Sequence, residues 1–198
     1  MQGLFYEEVA GIYRLKVPFE NLYTSVFLIK ADGGYILVDC ATTAYDVDEH
    51  IAPALMHMGI AISDIKKIVI THKHGDHAGG LPRVLQLAPD IEVIKSVGAL
   101  DDNLSTYAMA GHTLDCIGVL DMRTRTLISG DGLQGAGVDK YRCSLRDKDA
   151  YLETINRLKN NKRIENILFS HAYEPWYCDT AYGREAVEQS LDDCLKYI

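Results

Sequence analysis

The stretch H-K-H-G-D-H, at residues 72–77, brings three histidines and one aspartate together within a single short segment. It follows, after Thr71, the run Ile65–Ile70, which is rich in β-branched residues and so is typical of a buried strand. Imidazole nitrogens and carboxylate oxygens are the ligands that zinc and related divalent cations bind in proteins. The stretch therefore predicts a metal site at the end of a strand.

The spacing within this stretch divides its donors between two cations. Side chains at positions i and i+2 of an extended strand end point to the same side, so His72 and His74 can bind one ion. Asp76 and His77 follow where the chain turns toward a helix, and they can face a second ion nearby. Lys73, between the first two histidines, is expected to point to solvent.

Three further donors stand at predicted strand ends or turns in the second half of the chain. His112 lies in A-G-H-T, Asp131 ends L-I-S-G-D, and His171 ends I-L-F-S-H. Five of the seven histidines are then candidate ligands. His50 and His57, on a predicted helix, are left as surface residues.

Outside the motif, hydrophobic periodicity predicts strands in hairpins with helices between them, and hence helices packed on sheets. The predicted strands are Gly11–Val17, Thr24–Lys30, Tyr35–Asp39, Ile65–Ile70, Ile91–Ile94, Asp115–Asp121, Thr126–Ser129 and Ile164–Phe169. Helices are predicted from Tyr45 to Gly59, at Leu81–Leu87, from Asp147 or Lys148, and at the C-terminus. Pro53 weakens the prediction of the first helix, because proline lacks an amide hydrogen. No linker divides the chain, so residues 1–198 are expected to form one domain.

Composition excludes several classes of protein. The chain has 198 residues, 47% of them hydrophobic, and 28 acidic against 20 basic side chains, for a net charge of −8. This suits a globular domain and opposes a broad nucleic-acid interface, which normally shows as a basic face. No apolar run approaches the roughly 18 residues of a membrane span, and the first ten residues carry two glutamates where a signal peptide would be basic. We therefore expect a cytoplasmic protein that binds a small-molecule substrate, and neither a membrane nor nucleic acid.

In these motifs and in their order, the chain resembles the metallo-β-lactamase fold superfamily. The motif H-x-H-x-D-H is matched by residues 72–77, G-H-T by 111–113, G-D by 130–131 and S-H by 170–171. The resemblance implies an α+β fold, namely a four-layered αββα sandwich made of two similar halves. It also implies a dinuclear metal site at one edge, between the two sheets.

The resemblance further implies how seven side chains would hold two divalent cations. It assigns His72, His74 and His112 to the first ion, Asp76, His77 and His171 to the second, and Asp131 to both. A hydroxide bridging the ions would be the nucleophile, because two cations that share one water lower its pKa toward neutrality. Asp76 can orient that hydroxide and pass a proton to the leaving group. The donor set favours zinc, with iron and manganese as alternatives.

The predicted function is that of a metal-dependent hydrolase, which uses the bridging hydroxide to cleave a small ester, thioester, lactone or phosphoester. The ligands resemble those of hydroxyacylglutathione hydrolases, but the short segment after His171 lacks their C-terminal helical domain. Zinc β-lactamases resemble the chain less, because they lack a bridging aspartate at the position of Asp131. Two alternatives stay open: an oxidoreductase similar to mononuclear-iron persulfide dioxygenases, and a phosphodiesterase of the RNA-processing type.

Residues near the ligands are candidates for substrate binding and for support of the site. Tyr141 and Arg142, in a partly basic loop, can hold a carboxylate or phosphate, although such a loop can equally face water. The Tyr173 hydroxyl can stabilise an oxyanion, or its ring can simply pack on the sheet. Asp39 is expected to hydrogen-bond a ligand imidazole. Cys40 is expected to be a small buried residue rather than a nucleophile.

Overall fold

The computed structural model describes residues 3–20, 22–133, 144–172, 178–196 and 198. The chain divides into two compact units, a first unit (Met1–Lys95) and a second unit (Ser96–Ile198). Each unit contains a mixed β-sheet and helices. The expectation of one domain stays a prediction. Within the described ranges, no helix has the length and apolar character needed to cross a membrane.

The first unit contains a six-stranded sheet, counted over its described residues, in which the strands lie in chain order. The strands are β1 Tyr6–Val9, β2 Ile12–Phe19, β3 Leu22–Ala31, β4 Gly34–Val38, β5 Ile65–Val69 and β6 Glu92–Ile94. The strands β1 to β4 pair antiparallel, whereas β4, β5 and β6 run parallel. Parallel strands end at the same edge of a sheet, so the residues after β4 and β5 meet there.

Short helices connect these strands. They are α1 Ala44–Asp46, a π-helical turn Val47–Ile51, α2 Ala52–His57, a 3₁₀ turn Ile62–Asp64, α3 Gly75–Ala78 and α4 Leu81–Leu87. The helix predicted from Tyr45 to Gly59 is thus present, but its hydrogen-bond pattern changes ahead of Pro53. Pro53 lies in the first turn of α2, directly after this π-helical turn, and proline has no amide hydrogen to donate.

The core of the first unit lies between one face of the sheet and these helices. The sheet contributes Leu15, Val17, Val26, Leu28, Leu37 and Ile68, and the helices contribute Val47, Ile51, Leu55 and Val84. All of these side chains are fully buried. Burying one such aliphatic side chain stabilises the fold by about 1.5–3 kcal/mol. The packing fixes the sheet edge from which the candidate ligands emerge.

The second unit contains a five-stranded sheet, again counted over its described part, in the order β11-β10-β9-β8-β7. The strands are β7 Leu104–Ala108, β8 Ile117–Asp121, β9 Thr126–Ile128, β10 Asn166–Leu168 and β11 Thr180–Tyr182. Only β9 and β10 of these pair in parallel. A 3₁₀ turn, Gly130–Gly132, follows β9, and the helices are α5 Lys148–Asn160 and α6 Arg184–Asp193.

Helix α5 begins and packs as the sequence predicts. Asp147 is its N-cap, and the carboxylate accepts a hydrogen bond from the Ala150 backbone amide at 2.9 Å. The predicted apolar face of Tyr151, Ile155 and Leu158 is buried in the core of the second unit. The helix therefore lies on the sheet that carries the second group of candidate ligands.

A close backbone approach in the first unit yields a stability prediction. A Cβ at Gly80 would lie 2.1 Å from the Cys40 carbonyl oxygen, whereas a Cβ at Gly75 would meet no atom within 4 Å. We expect Gly80→Ala to lower the free energy of unfolding by about 2–3 kcal/mol, because backbone must move to admit the methyl group. Gly75→Ala should change it by less than about 1 kcal/mol. Urea titration measures both values, and equal shifts of the two midpoints would contradict a tight contact between Gly80 and Cys40.

Candidate metal centre

In the first unit, the candidate ligands lie at the carboxyl end of β5 and in α3. His72 follows the strand, His74 is the N-cap residue of α3, and Asp76 and His77 lie within α3. The Nε2 atom of His72 lies 3.0 Å from Nδ1 of His74, and Nε2 of His77 lies 3.2 Å from a carboxylate oxygen of Asp76. Lys73 is exposed, as expected. The motif therefore presents its donors as two adjacent pairs.

A buried carboxylate supports these ligands. Asp39, which follows β4 and is 1% exposed, accepts hydrogen bonds from the Thr71 amide and the Thr71 hydroxyl, each at 2.8 Å. Its Oδ2 atom also lies 2.7 Å from Nδ1 of His77. An ionised carboxylate can only accept, so the proton of His77 belongs on Nδ1 and the Nε2 lone pair is left for a metal. The expected contact between Asp39 and the imidazole of a candidate ligand is confirmed.

Thr71 extends this support to His72. Its hydroxyl oxygen lies 3.3 Å from Nδ1 of His72 and donates its proton to Asp39. The oxygen can then accept from the His72 ring, which leaves Nε2 of His72 without a proton. One carboxylate and one hydroxyl thus set the tautomers of two imidazoles.

The chain that follows β4 is bent sharply to reach this position. Asp39 and Ala41 have φ values of +63° and +58°, in the left-handed region that non-glycine residues rarely adopt. The Cys40 amide donates to the His77 carbonyl at 2.9 Å, and the Gly80 amide donates to the Ala41 carbonyl at 3.2 Å. Such conformations cost about 1–3 kcal/mol each. They persist here because these hydrogen bonds tie the bend to α3.

Cys40 is fully buried beside the candidate ligands. Burial raises the pKa of its thiol well above the usual range, and the neighbouring Asp39 carboxylate raises it further. The thiol also donates a hydrogen bond to the His77 carbonyl, with the sulfur 3.3 Å from the oxygen. The expectation of a small buried residue is confirmed.

In the second unit, Asp131 lies between two imidazoles. One of its carboxylate oxygens is 3.7 Å from Nε2 of His112, and the other is 3.3 Å from Nε2 of His171. The side chains of all three residues are largely buried. Each oxygen of the carboxylate therefore faces a different histidine, which is the arrangement that a bridging ligand needs.

A backbone carbonyl orients His112. The Nδ1–H group of this histidine donates to the Ser144 carbonyl oxygen at 2.5 Å, which leaves Nε2 directed toward Asp131. The sequence motifs do not predict the role of Ser144, because a backbone acceptor 32 positions away leaves no signal in residue types. The predicted substrate residues Tyr141, Arg142 and Tyr173 lie outside the described residues.

The donors fit a divalent cation of the zinc type. All of them are imidazole nitrogens or carboxylate oxygens. Two nitrogens bound to one tetrahedral zinc ion lie about 3.3 Å apart, close to the 3.0 Å between His72 Nε2 and His74 Nδ1. The ligand atoms offered by Asp131 and His171 also lie within 4.8 Å of each other.

Comparison with known proteins agrees with this chemistry. The family model of the metallo-beta-lactamase superfamily matches residues 20–99. A beta-lactamase-like protein 2 homolog from Caenorhabditis elegans is 28% identical over 165 residues, which cover 72% of this chain and 54% of that protein. Ribonuclease J from Mycolicibacterium smegmatis is 38% identical over 68 residues, which cover 32% of this chain and 12% of that protein.

The comparison also extends to the three-dimensional structure. A metallo-beta-lactamase from Pontibacter korlensis superposes with a TM-score of 0.77 and 14% identity, covering 98% of this chain and 100% of that chain. This likeness confirms the predicted α+β fold of the metallo-β-lactamase type. The family model matches residues 20–99 of the 198, and the likeness at 14% identity shows the fold alone. The chain spans about half, or less, of the length of the two curated relatives, and a hydroxyacylglutathione-hydrolase-like subfamily stays a prediction.

The hydrogen bonds of Asp39 yield a second prediction. Asp39→Ala leaves the buried Thr71 and His77 donors without their acceptor, and we expect the free energy of unfolding to fall by about 2–3 kcal/mol. Asp48→Ala is the control, because it removes only a half-exposed ion pair with Arg83 and should cost less than about 1 kcal/mol. Urea titration of the metal-free variants measures both values. Equal losses would show that Asp39 does not organise the site.

Proposed function

We propose that this chain is a metal-dependent hydrolase whose seven donors hold two divalent cations. The proposal rests on how the two ring nitrogens of the buried histidines are bonded. In His77 and His112, Nδ1 is hydrogen-bonded to a protein acceptor, while Nε2 faces a carboxylate of another candidate ligand. Metal-binding histidines are characteristically held in this way by a carboxylate or carbonyl on the second nitrogen.

The proposed ligand sets follow the sequence assignment. The first ion is bound by His72, His74 and His112, the second by Asp76, His77 and His171, and Asp131 binds both. Zinc is proposed, with iron and manganese as alternatives, because the set contains imidazoles and carboxylates and no thiolate. The two different imidazole contacts of Asp131 support the bridging role.

The proposed reaction is hydrolysis of a small ester, thioester, lactone or phosphoester. When bound, the ions lower the pKa of a water molecule and polarise the carbonyl or phosphoryl oxygen of the substrate. Asp76 is partly exposed, with 13% of its side-chain surface accessible. Its carboxylate can therefore accept a proton from the attacking water and deliver it to the leaving group. The roles of Tyr141, Arg142 and Tyr173 in binding the substrate stay predictions.

The alternative functions make different demands on these residues. A mononuclear-iron oxidoreductase needs only His72, His112 and Asp131 as ligands. It leaves Asp76, His77 and His171 without a metal, whereas the contact of His77 Nδ1 with Asp39 leaves Nε2 of that ring available to a second ion. Phosphodiester hydrolysis is the second candidate, and the similarity to ribonuclease J over 68 residues supports it. The net charge of −8 argues against a large nucleic acid as the substrate.

Substitution of proposed ligands tests this function. We expect the purified protein to bind two zinc ions and to hydrolyse at least one member of a panel of thioesters, lactones and phosphodiesters. Loss of a residue that only supports a metal ligand costs about 10–100-fold. Loss of a proposed ligand itself should cost more, so His72→Ala and Asp131→Ala should each lower kcat/KM by more than about 100-fold. A chelator should abolish turnover, and added zinc should restore it.

The control for this experiment is His57→Ala. His57 is exposed at the end of α2 and stands outside both ligand sets, so its removal should leave turnover and zinc content unchanged. Binding of a single iron ion, with oxygen uptake on a persulfide substrate, would contradict the proposal. Full activity of His72→Ala would contradict it as well.

A further inference from the structure

One face of helix α5 follows the chain segment that leads from β7 to His112. The Thr154 hydroxyl donates to the Ala110 carbonyl, with 2.9 Å between the oxygens. One turn further along the helix, the Arg157 guanidinium donates to the Ala108 carbonyl. Residues three or four apart lie on the same face of a helix. The helix thus binds two carbonyls of the segment with side chains from one face.

The same face closes over the residue before His112. Gly111 has a φ of +149°, and a Cβ there would lie 2.6 Å from the Cβ atom of Tyr151. The Gly111 carbonyl accepts hydrogen bonds from the backbone amides of Arg146 at 3.0 Å and Asp147 at 3.1 Å. The carbonyls of Ala110 and Gly111 therefore both have partners in α5 or in the residues just before it.

These contacts determine where the His112 ring can lie. Its Nδ1–H group donates to the carbonyl of Ser144, which belongs to the same short segment before α5. The His112 ring can therefore donate to the Ser144 carbonyl only while residues 110–112 and residues 144–147 keep their positions relative to each other. Thr154 is 1% exposed, and its hydroxyl supplies a side-chain bond between residues 110–112 and α5, the helix that follows residues 144–147. Loss of this hydroxyl would leave the Ala110 carbonyl without the donor that the buried Thr154 supplies.

We propose that Thr154 is a positioning residue for His112. By holding the Ala110 carbonyl, it keeps the His112 Nδ1–H group on the Ser144 carbonyl and Nε2 directed toward Asp131. The structural part of this proposal concerns only the second unit. Its consequence for metal binding rests on the proposed function, in which His112 is a ligand.

The first test uses the metal-free protein. Nuclear magnetic resonance of protein labelled with ¹⁵N histidine measures how fast the His112 Nδ1–H proton exchanges with water. We expect slow exchange in the wild type, and exchange that is about tenfold faster in Thr154→Val, as loss of one hydrogen bond allows. Thr154→Ser keeps the hydroxyl and should restore slow exchange. Wild-type exchange in Thr154→Val would overturn the proposal.

The matched control is Thr126→Val, which removes another buried hydroxyl of the second unit. The Thr126 hydroxyl donates to the Thr124 carbonyl and accepts from the Asn166 side-chain amide, each at 3.3 Å. Neither partner belongs to residues 110–112 or 144–147, so loss of this hydroxyl should leave His112 exchange unchanged. Should Thr154→Val fail to fold, Thr154→Ala replaces it, because it also removes the hydroxyl that bonds the Ala110 carbonyl. Faster His112 exchange in Thr154→Ala supports the proposal, and unchanged exchange overturns it.

The second test measures zinc affinity by competition with a chromophoric chelator. We expect one of the two zinc ions to bind about tenfold more weakly in Thr154→Val, and nearly as in the wild type in Thr154→Ser and Thr126→Val. If wild-type protein binds no zinc while the exchange result holds, the proposed function fails and the positioning role stands. If the wild type binds two ions and Thr154→Val binds both equally well, the positioning role is overturned.

Discussion

The candidate metal-binding motif of the first unit depends on the buried carboxylate of Asp39. It accepts hydrogen bonds from the Thr71 amide and hydroxyl and from the His77 ring, and so it joins the end of β5 to α3. A carboxylate left unpaired in such a place would be strongly destabilising, because burial disfavours an uncompensated charge. The three hydrogen bonds together compensate the buried charge of Asp39. Aspartate also tolerates the left-handed backbone that the end of β4 requires.

In the second unit, the acceptor that orients a candidate ligand is a neutral backbone carbonyl. Nδ1 of His112 is bonded to the Ser144 carbonyl, whereas Nδ1 of His77 is bonded to a carboxylate. A carboxylate partner makes an imidazole a more basic ligand than a carbonyl partner does. In the proposed site, His77 is consequently the stronger donor of the two. The orientation of His112 depends instead on backbone registration, which α5 maintains through Thr154 and Tyr151.

Much of this can be predicted from the sequence where a local pattern determines the structure. The bounds of α4 are as predicted, the apolar face of α5 is buried as predicted, and the motif follows a buried strand. The strands β1, β7 and β11 are not among the predicted strands, and each lies at an edge of its sheet. An edge strand pairs on one side only, so its sequence carries a weaker apolar signal. Ser144 escapes prediction as well, because its contribution is a backbone oxygen common to every residue.

Crystals of protein purified with zinc, measured with X-rays at the zinc absorption edge, test the proposed dinuclear site most directly. We expect two anomalous peaks, one bound by His72, His74 and His112, and one bound by Asp76, His77 and His171, with Asp131 in contact with both. A single peak, or peaks bound only by other residues of the chain, would contradict the proposal that these donors form one hydrolytic metal centre.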